Sequence, residues 1–158
     1  MTDRLVILTL TRIEATHLLD LVTQFAELVG EDPQHDDPAV ERLTPPAYTD
    51  DPDAAREFQQ VTRGELLGRR AHDAAIVQQD LQRIDHAELD EALSPVDVSI
   101  EGEEKLEAWL RTLAAVRLVL ASRLGIDAGA EHDDADPRFG LYEWLGYRLE
   151  GLIEAAES

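Results

Sequence analysis

The chain has no cysteine and no asparagine, a single lysine, and only 5% aromatic residues. Without cysteine it can form no disulfide, thiolate nucleophile, cysteine zinc site or thiol redox switch. With so few aromatics the core must be built from Leu, Val, Ile and Ala. Ala and Leu favour helix, and strong strand formers are sparse. Bases are scarce as well: 14 against 34 acids, for a net charge of −20. Such a surface repels phosphate backbones and anionic membranes, which argues against direct nucleic-acid or membrane binding. It favours a protein partner with a basic face, or a divalent cation. No apolar run approaches the ~18 residues of a membrane span. Met1-Thr-Asp-Arg4 does not open a secretory leader, so the expected location is the cytoplasm.

At 158 residues the chain suits one domain, 1–158, with one proper core. Leu5-Val-Ile-Leu-Thr-Leu-Thr11 reads as a short strand. Thr11-Arg-Ile-Glu14 is a capping box, and Leu18, Leu21, Val22, Phe25, Leu28 and Val29 recur at helical spacing up to Gly30. Residues 31–53 are acidic, rich in proline and expected to be irregular; Pro45 and Pro46 exclude a helix interior there. Asp51-Pro52 opens a short helix to about Val61. Thr62-Arg-Gly-Glu65 repeats the capping-box pattern and predicts a new helix to about Ile84.

Val96-Asp-Val-Ser-Ile100 alternates as a half-buried strand, the evident partner of Leu5–Thr11. A helix follows from about Glu101 to Leu124, with Leu106, Trp109, Leu110, Leu113, Val116 and Leu120 on one stripe and Gly125 as its stop. After an acidic loop at 127–137, the last helix runs from about Phe139 to Ala156, with Leu141, Trp144, Leu145, Leu149, Leu152 and Ile153 inward. The expected fold is mainly α: a bundle of about four to five helices with a small two-stranded sheet.

Chemistry-bearing patterns are few. There is no Gly-x-Gly-x-x-Gly, Walker loop, Gly-x-Ser-x-Gly or His-Glu-x-x-His. His72-Asp73 resembles the His-Asp pair of an HD-type metal phosphohydrolase, which also needs another His and a distant Asp; His17 and Asp80 are imaginable as the rest. The commoner reading is a polar pair on a helix. Glu131, Asp133, Asp134 and Asp136 are weak calcium candidates, because the loop lacks the EF-hand register and its turn glycine. No cofactor is expected. Arg111, Arg117 and Arg123 lie in an acid-free stretch, 108–126. They serve either as an internal salt network or as a receptor for an acidic partner. Pro45, Pro46 and Tyr48 form a rigid extended segment that either docks to a partner or straps the helices, with Leu43 and Tyr48 as anchors. Tyr147 falls off its helix stripe. The Leu-rich helices at 106–124 and 139–156 also leave self-association open as a second kind of partnership.

Three segments carry a resemblance: Arg42-Leu-Thr-Pro-Pro-Ala-Tyr-Thr-Asp-Asp-Pro52, Glu107-Ala-Trp-Leu-Arg-Thr-Leu through Gly125, and Leu141-Tyr-Glu-Trp-Leu-Gly-Tyr147. Together they resemble an actinobacterial domain-of-unknown-function family, number 2017. A composition with 13 Arg to one Lys suits the GC-rich genome this implies. The resemblance implies a small cytoplasmic protein, often encoded beside the ClpS protease adaptor and in some members labelled a transcriptional regulator. It brings no catalytic residues. The expectation is a non-enzymatic regulatory or adaptor protein in transcriptional or proteolytic control. The alternatives are a metal-dependent hydrolase built on His72 and Asp73, or a small-molecule sensor.

Overall fold

The computed structural model describes residues 5–30, 38–43, 52–84, 93–125 and 137–157. Their element order is β1 (Leu5–Thr11), α1 (Arg12–Val29), α2 (Pro38–Leu43), α3 (Pro52–Gln82), β2 (Pro95–Glu101), α4 (Glu103–Leu124) and α5 (Pro137–Glu157). The fold is mainly α with one small sheet. β1 and β2 pair antiparallel, from Leu5 opposite Glu101 to Thr11 opposite Pro95. Two strands are marginal alone, so one face must be covered. Val6, Leu8 and Leu10 of β1, with Val98 and Ile100 of β2, turn into the core. Leu5, Ile7 and Thr9 face outward.

The helices form a row: α1 packs on α3, α3 on α4 and α4 on α5, with α2 lying against α4. Leu18, Leu81, Leu106, Leu113 and Leu145 are fully buried between them, around Trp109. Two carboxylates on one side of α3 set its pairing with α4. Asp73 and Asp80 are two turns apart and both are buried. Arg111 Nε donates to Asp73 at 3.0 Å, and Trp109 Nε1 donates to Asp80 at 2.9 Å. Lys105 Nζ also donates to Asp80, at 3.3 Å. As the α3 number rises the α4 number falls, so the two helices run antiparallel.

Three sequence expectations are corrected. α3 is one helix of 31 residues and does not restart at Thr62. A capping box caps only where the preceding backbone leaves the helix, and here it does not. Gly64 within it costs about 1 kcal/mol, which good helix formers on either side can absorb. Residues 38–43 of the segment expected to be irregular form α2, and Val40 and Leu43 are buried. Ile153, expected inward, is 41% exposed. α5 ends the row and meets chiefly α4 and β1, so its buried arc narrows to Leu145 and Leu152. α4 ends where expected: Gly125 takes a left-handed φ of 72°, and its N–H closes the last turn onto Ala121 and Ser122.

Replacing Asp80 with alanine strands the buried indole N–H of Trp109 and removes the partner of Lys105. The expected loss is about 2–4 kcal/mol, read from urea denaturation, with no change in the slope of the transition.

Candidate functional site

The structure separates the arginines that the sequence groups together. Arg111 reaches back to α3, where Asp73 takes its Nε and Nη2, and Glu107 lies 3.7 Å from its Nη1. It lines an open groove of about 650 Å³ with Arg69, Arg70 and His72 of α3. Arg69 and Arg70 were not singled out from the sequence, because only the α3–α4 pairing brings them to Arg111. Arg117 turns the other way, onto α5. Its guanidinium lies 4.0 Å from the centre of the Tyr142 ring, and its Nε donates to the Tyr142 carbonyl at 3.2 Å. A Cβ at Gly146 would come within 2.8 Å of that Nε. Tyr142 and Gly146, one turn apart, thus bracket Arg117, which accounts for two of the unusual residues in Leu141–Tyr147. Arg123 stands in the last turn of α4 and is exposed.

His72 is exposed beside the buried Asp73, and His17 is exposed on α1. Among the described residues no group of three His, Cys, Asp or Glu is placed to hold a metal ion. Pro45, Pro46 and Tyr48, and Glu131, Asp133, Asp134 and Asp136, lie outside the described residues. Of the two strap anchors, Leu43 is buried at the end of α2. Tyr147 is 71% exposed.

The expected capping box at Thr11 is formed in full, and it does more than cap α1. Thr11 Oγ1 accepts from the Glu14 N–H at 3.2 Å, and Glu14 Oε1 accepts from the Thr11 N–H at 2.9 Å. Glu14 then accepts from the Trp144 indole and from Arg148 Nη2, at 3.1 Å for the latter. Arg148 Nη1 reaches on to the Thr9 carbonyl at 3.4 Å. One carboxylate therefore ties the strand end, the start of α1 and the middle of α5. Burial is the largest single influence on its pKa and raises it. The Thr11 N–H, Arg148 and Trp144 together outweigh burial and hold it down to about 2, from an ordinary 4.5.

That knot places α5 along the outer edge of β1. In an antiparallel pair, alternate residues exchange their N–H and C=O with the partner strand, and the residues between them point away. Arg12 N–H donates to the Ser94 carbonyl at 3.0 Å, which continues the register of Leu10 with Val96. Even-numbered residues of β1 therefore bond to β2. Leu5, Ile7 and Thr9 turn their backbone groups to the other edge, and the Arg148 bond to the Thr9 carbonyl confirms that direction. Between this edge and α5 lies an open groove of about 530 Å³, flanked by Tyr147, Glu150, Gly151 and Glu154. On the outward sheet face, Leu5 and Ile7 are 55% and 56% exposed, opposite Glu101 and Ser99. Exposed aliphatics beside a strand edge that no described residue pairs with as a strand are a contact surface that soluble proteins usually cover or charge. The sequence marked β1 as a strand but could not show which edge stays open.

No helix among the described residues is long and apolar enough to cross a membrane. A family model described as a domain of unknown function, DUF2017, matches residues 1–156. No curated protein and no solved structure matches the chain.

The depressed pKa of Glu14 has a defined signature. Its stabilising contribution is complete above about pH 4.5 and is lost as pH falls toward 2. The depression corresponds to on the order of 3 kcal/mol at neutral pH. Glu14→Gln should be less stable at pH 7 by an amount of that order, and that difference should shrink steadily between pH 4.5 and 2. Denaturation midpoints of both proteins across that range check it.

Proposed function

We propose that this chain, which belongs to the DUF2017 family, is a non-enzymatic adaptor or regulatory protein of the cytoplasm that works by binding another protein. The observation that carries this reading is the outward face of the sheet. Leu5 and Ile7 stand side by side on an edge strand, each more than half exposed. Acids ring them: Asp97 and Glu101 on β2, and Glu150 and Glu154 across the groove. Apolar contact area supplies affinity, and a surrounding field of one sign supplies selection and rate.

The net charge of −20 gives that field its reach and favours a partner with a basic face. A protein whose basic face otherwise meets nucleic acid fits this description, and so does a basic substrate or component of a proteolytic machine. Both agree with the regulatory or proteolytic setting that the family resemblance implies. Three acids of the described residues have structural roles: Glu14, Asp73 and Asp80 each serve a helix junction.

Tagged protein passed through its native cytoplasm should retain one stoichiometric partner that is released as salt rises in steps, as exposed charge pairs are screened over about 8 Å at physiological ionic strength. A Leu5→Glu, Ile7→Glu variant changes only outward positions, so it should fold normally and lose that partner. An eluate holding this chain alone, or a partner indifferent to both salt and the two substitutions, would count against the proposal.

A further inference from the structure

The geometry points to strand addition: the outer edge of β1 pairs with an extended, lysine- or arginine-bearing segment of the partner, which lies in the groove against α5. This deepens the protein-binding reading above and rests on it. The backbone supplies the first argument. Ile7 has both its N–H and its C=O on the open edge, and among the described residues neither has a hydrogen-bond partner. The Thr9 N–H points the same way. A strand edge of this kind is completed by the main chain of an incoming segment, which gives affinity without reading its sequence.

Space is the second argument. α5 does not close onto the edge: at Gly151, which lines the groove, an added Cβ would meet nothing within 4 Å. A glycine within a helix is disfavoured, yet here it leaves the groove clear. The pleat sends alternate side chains of an added strand to opposite faces. One set would meet Leu5 and Ile7 on the outward face.

Charge is the third argument, and it selects the occupant. The groove is flanked by Glu150 and Glu154, and the neighbouring sheet face carries Asp97 and Glu101. Among the described residues, Arg148 is the one cation lining the groove, and its charge is already matched by Glu14 at 3.1 Å. A basic segment therefore meets acids on both sides that, among the described residues, have no cation partner; Asp97 accepts only from the Thr9 hydroxyl, at 2.7 Å. A second copy of the chain could pair β1 with β1 by symmetry, but it would bring those same acids together and set −20 against −20.

The test uses a synthetic eight-residue peptide of alternating Lys and Val, the same peptide methylated at every backbone nitrogen, and an alternating Glu and Val peptide. Each is titrated into the intact protein by calorimetry at low salt. The Lys–Val peptide should bind at least tenfold more tightly than its methylated copy, and the Glu–Val peptide should not bind. Gly151→Trp, which fills the groove from an exposed helix position, should erase the advantage of the unmethylated peptide. Equal affinity for both Lys–Val peptides would overturn strand addition while leaving a basic partner in place. No binding of any peptide would overturn both the mode and the basic-partner reading. A free protein that sediments as a dimer, dispersed by Ile7→Lys, would give the edge to a second copy and overturn the proposal.

Discussion

The carboxylate of Glu14 is the contact on which the open side of this protein depends. A capping box ordinarily serves one helix end. Here its acid also holds Trp144 and Arg148 of the last helix, some 130 residues away in the chain. Through Arg148 it reaches the Thr9 carbonyl on the edge of β1. The distance and angle between that edge and α5 follow from this knot. The groove between them is open at Gly151, one turn beyond Tyr147, where no side chain enters it.

Two further acids organise the opposite side. Asp73 and Asp80 fix the antiparallel pairing of α3 with α4 through Arg111, Lys105 and Trp109. Buried carboxylates are tolerated only where donors meet them, and each of these is met by cations or indole N–H groups. The chain thus divides its acids. A few of the described acids join elements, while the chain as a whole keeps a net charge of −20. Arg117, pressed between Tyr142 and Gly146, is the reciprocal case: a cation used for packing α4 on α5. Its contacts there are with the Tyr142 ring and carbonyl; among the described residues it has no carboxylate partner.

Local signals were legible where they act locally. The aliphatic run at Leu5–Thr11, the Thr11–Glu14 box, the alternating Val96–Ile100 and the glycine stop at Gly125 each describe what the backbone does there. The box at Thr62–Glu65 has the same letters without the same outcome, because a cap pattern states a capacity and the neighbouring residues keep the helix going. Asp37-Pro38 carries the same signature as Asp51-Pro52 and opens α2, although prolines and acids surround it. The site was less legible than the fold. Glu14 was identified as a cap but not as the anchor of α5, and Arg111 was grouped with Arg117 and Arg123 instead of Arg69 and Arg70. These are pairings across distant elements, and periodicity along one helix does not encode them.

Docking at this edge requires that alternate amides along β1 be open in the free protein. Amide hydrogen exchange followed by NMR tests it directly. Leu8 and Leu10, bonded to β2, should exchange slowly, while Ile7 and Thr9 exchange far faster, giving a sawtooth along the strand. Equal protection at Ile7 and Thr9 in the free monomer would mean that the edge is already covered. The groove would then not be a docking surface.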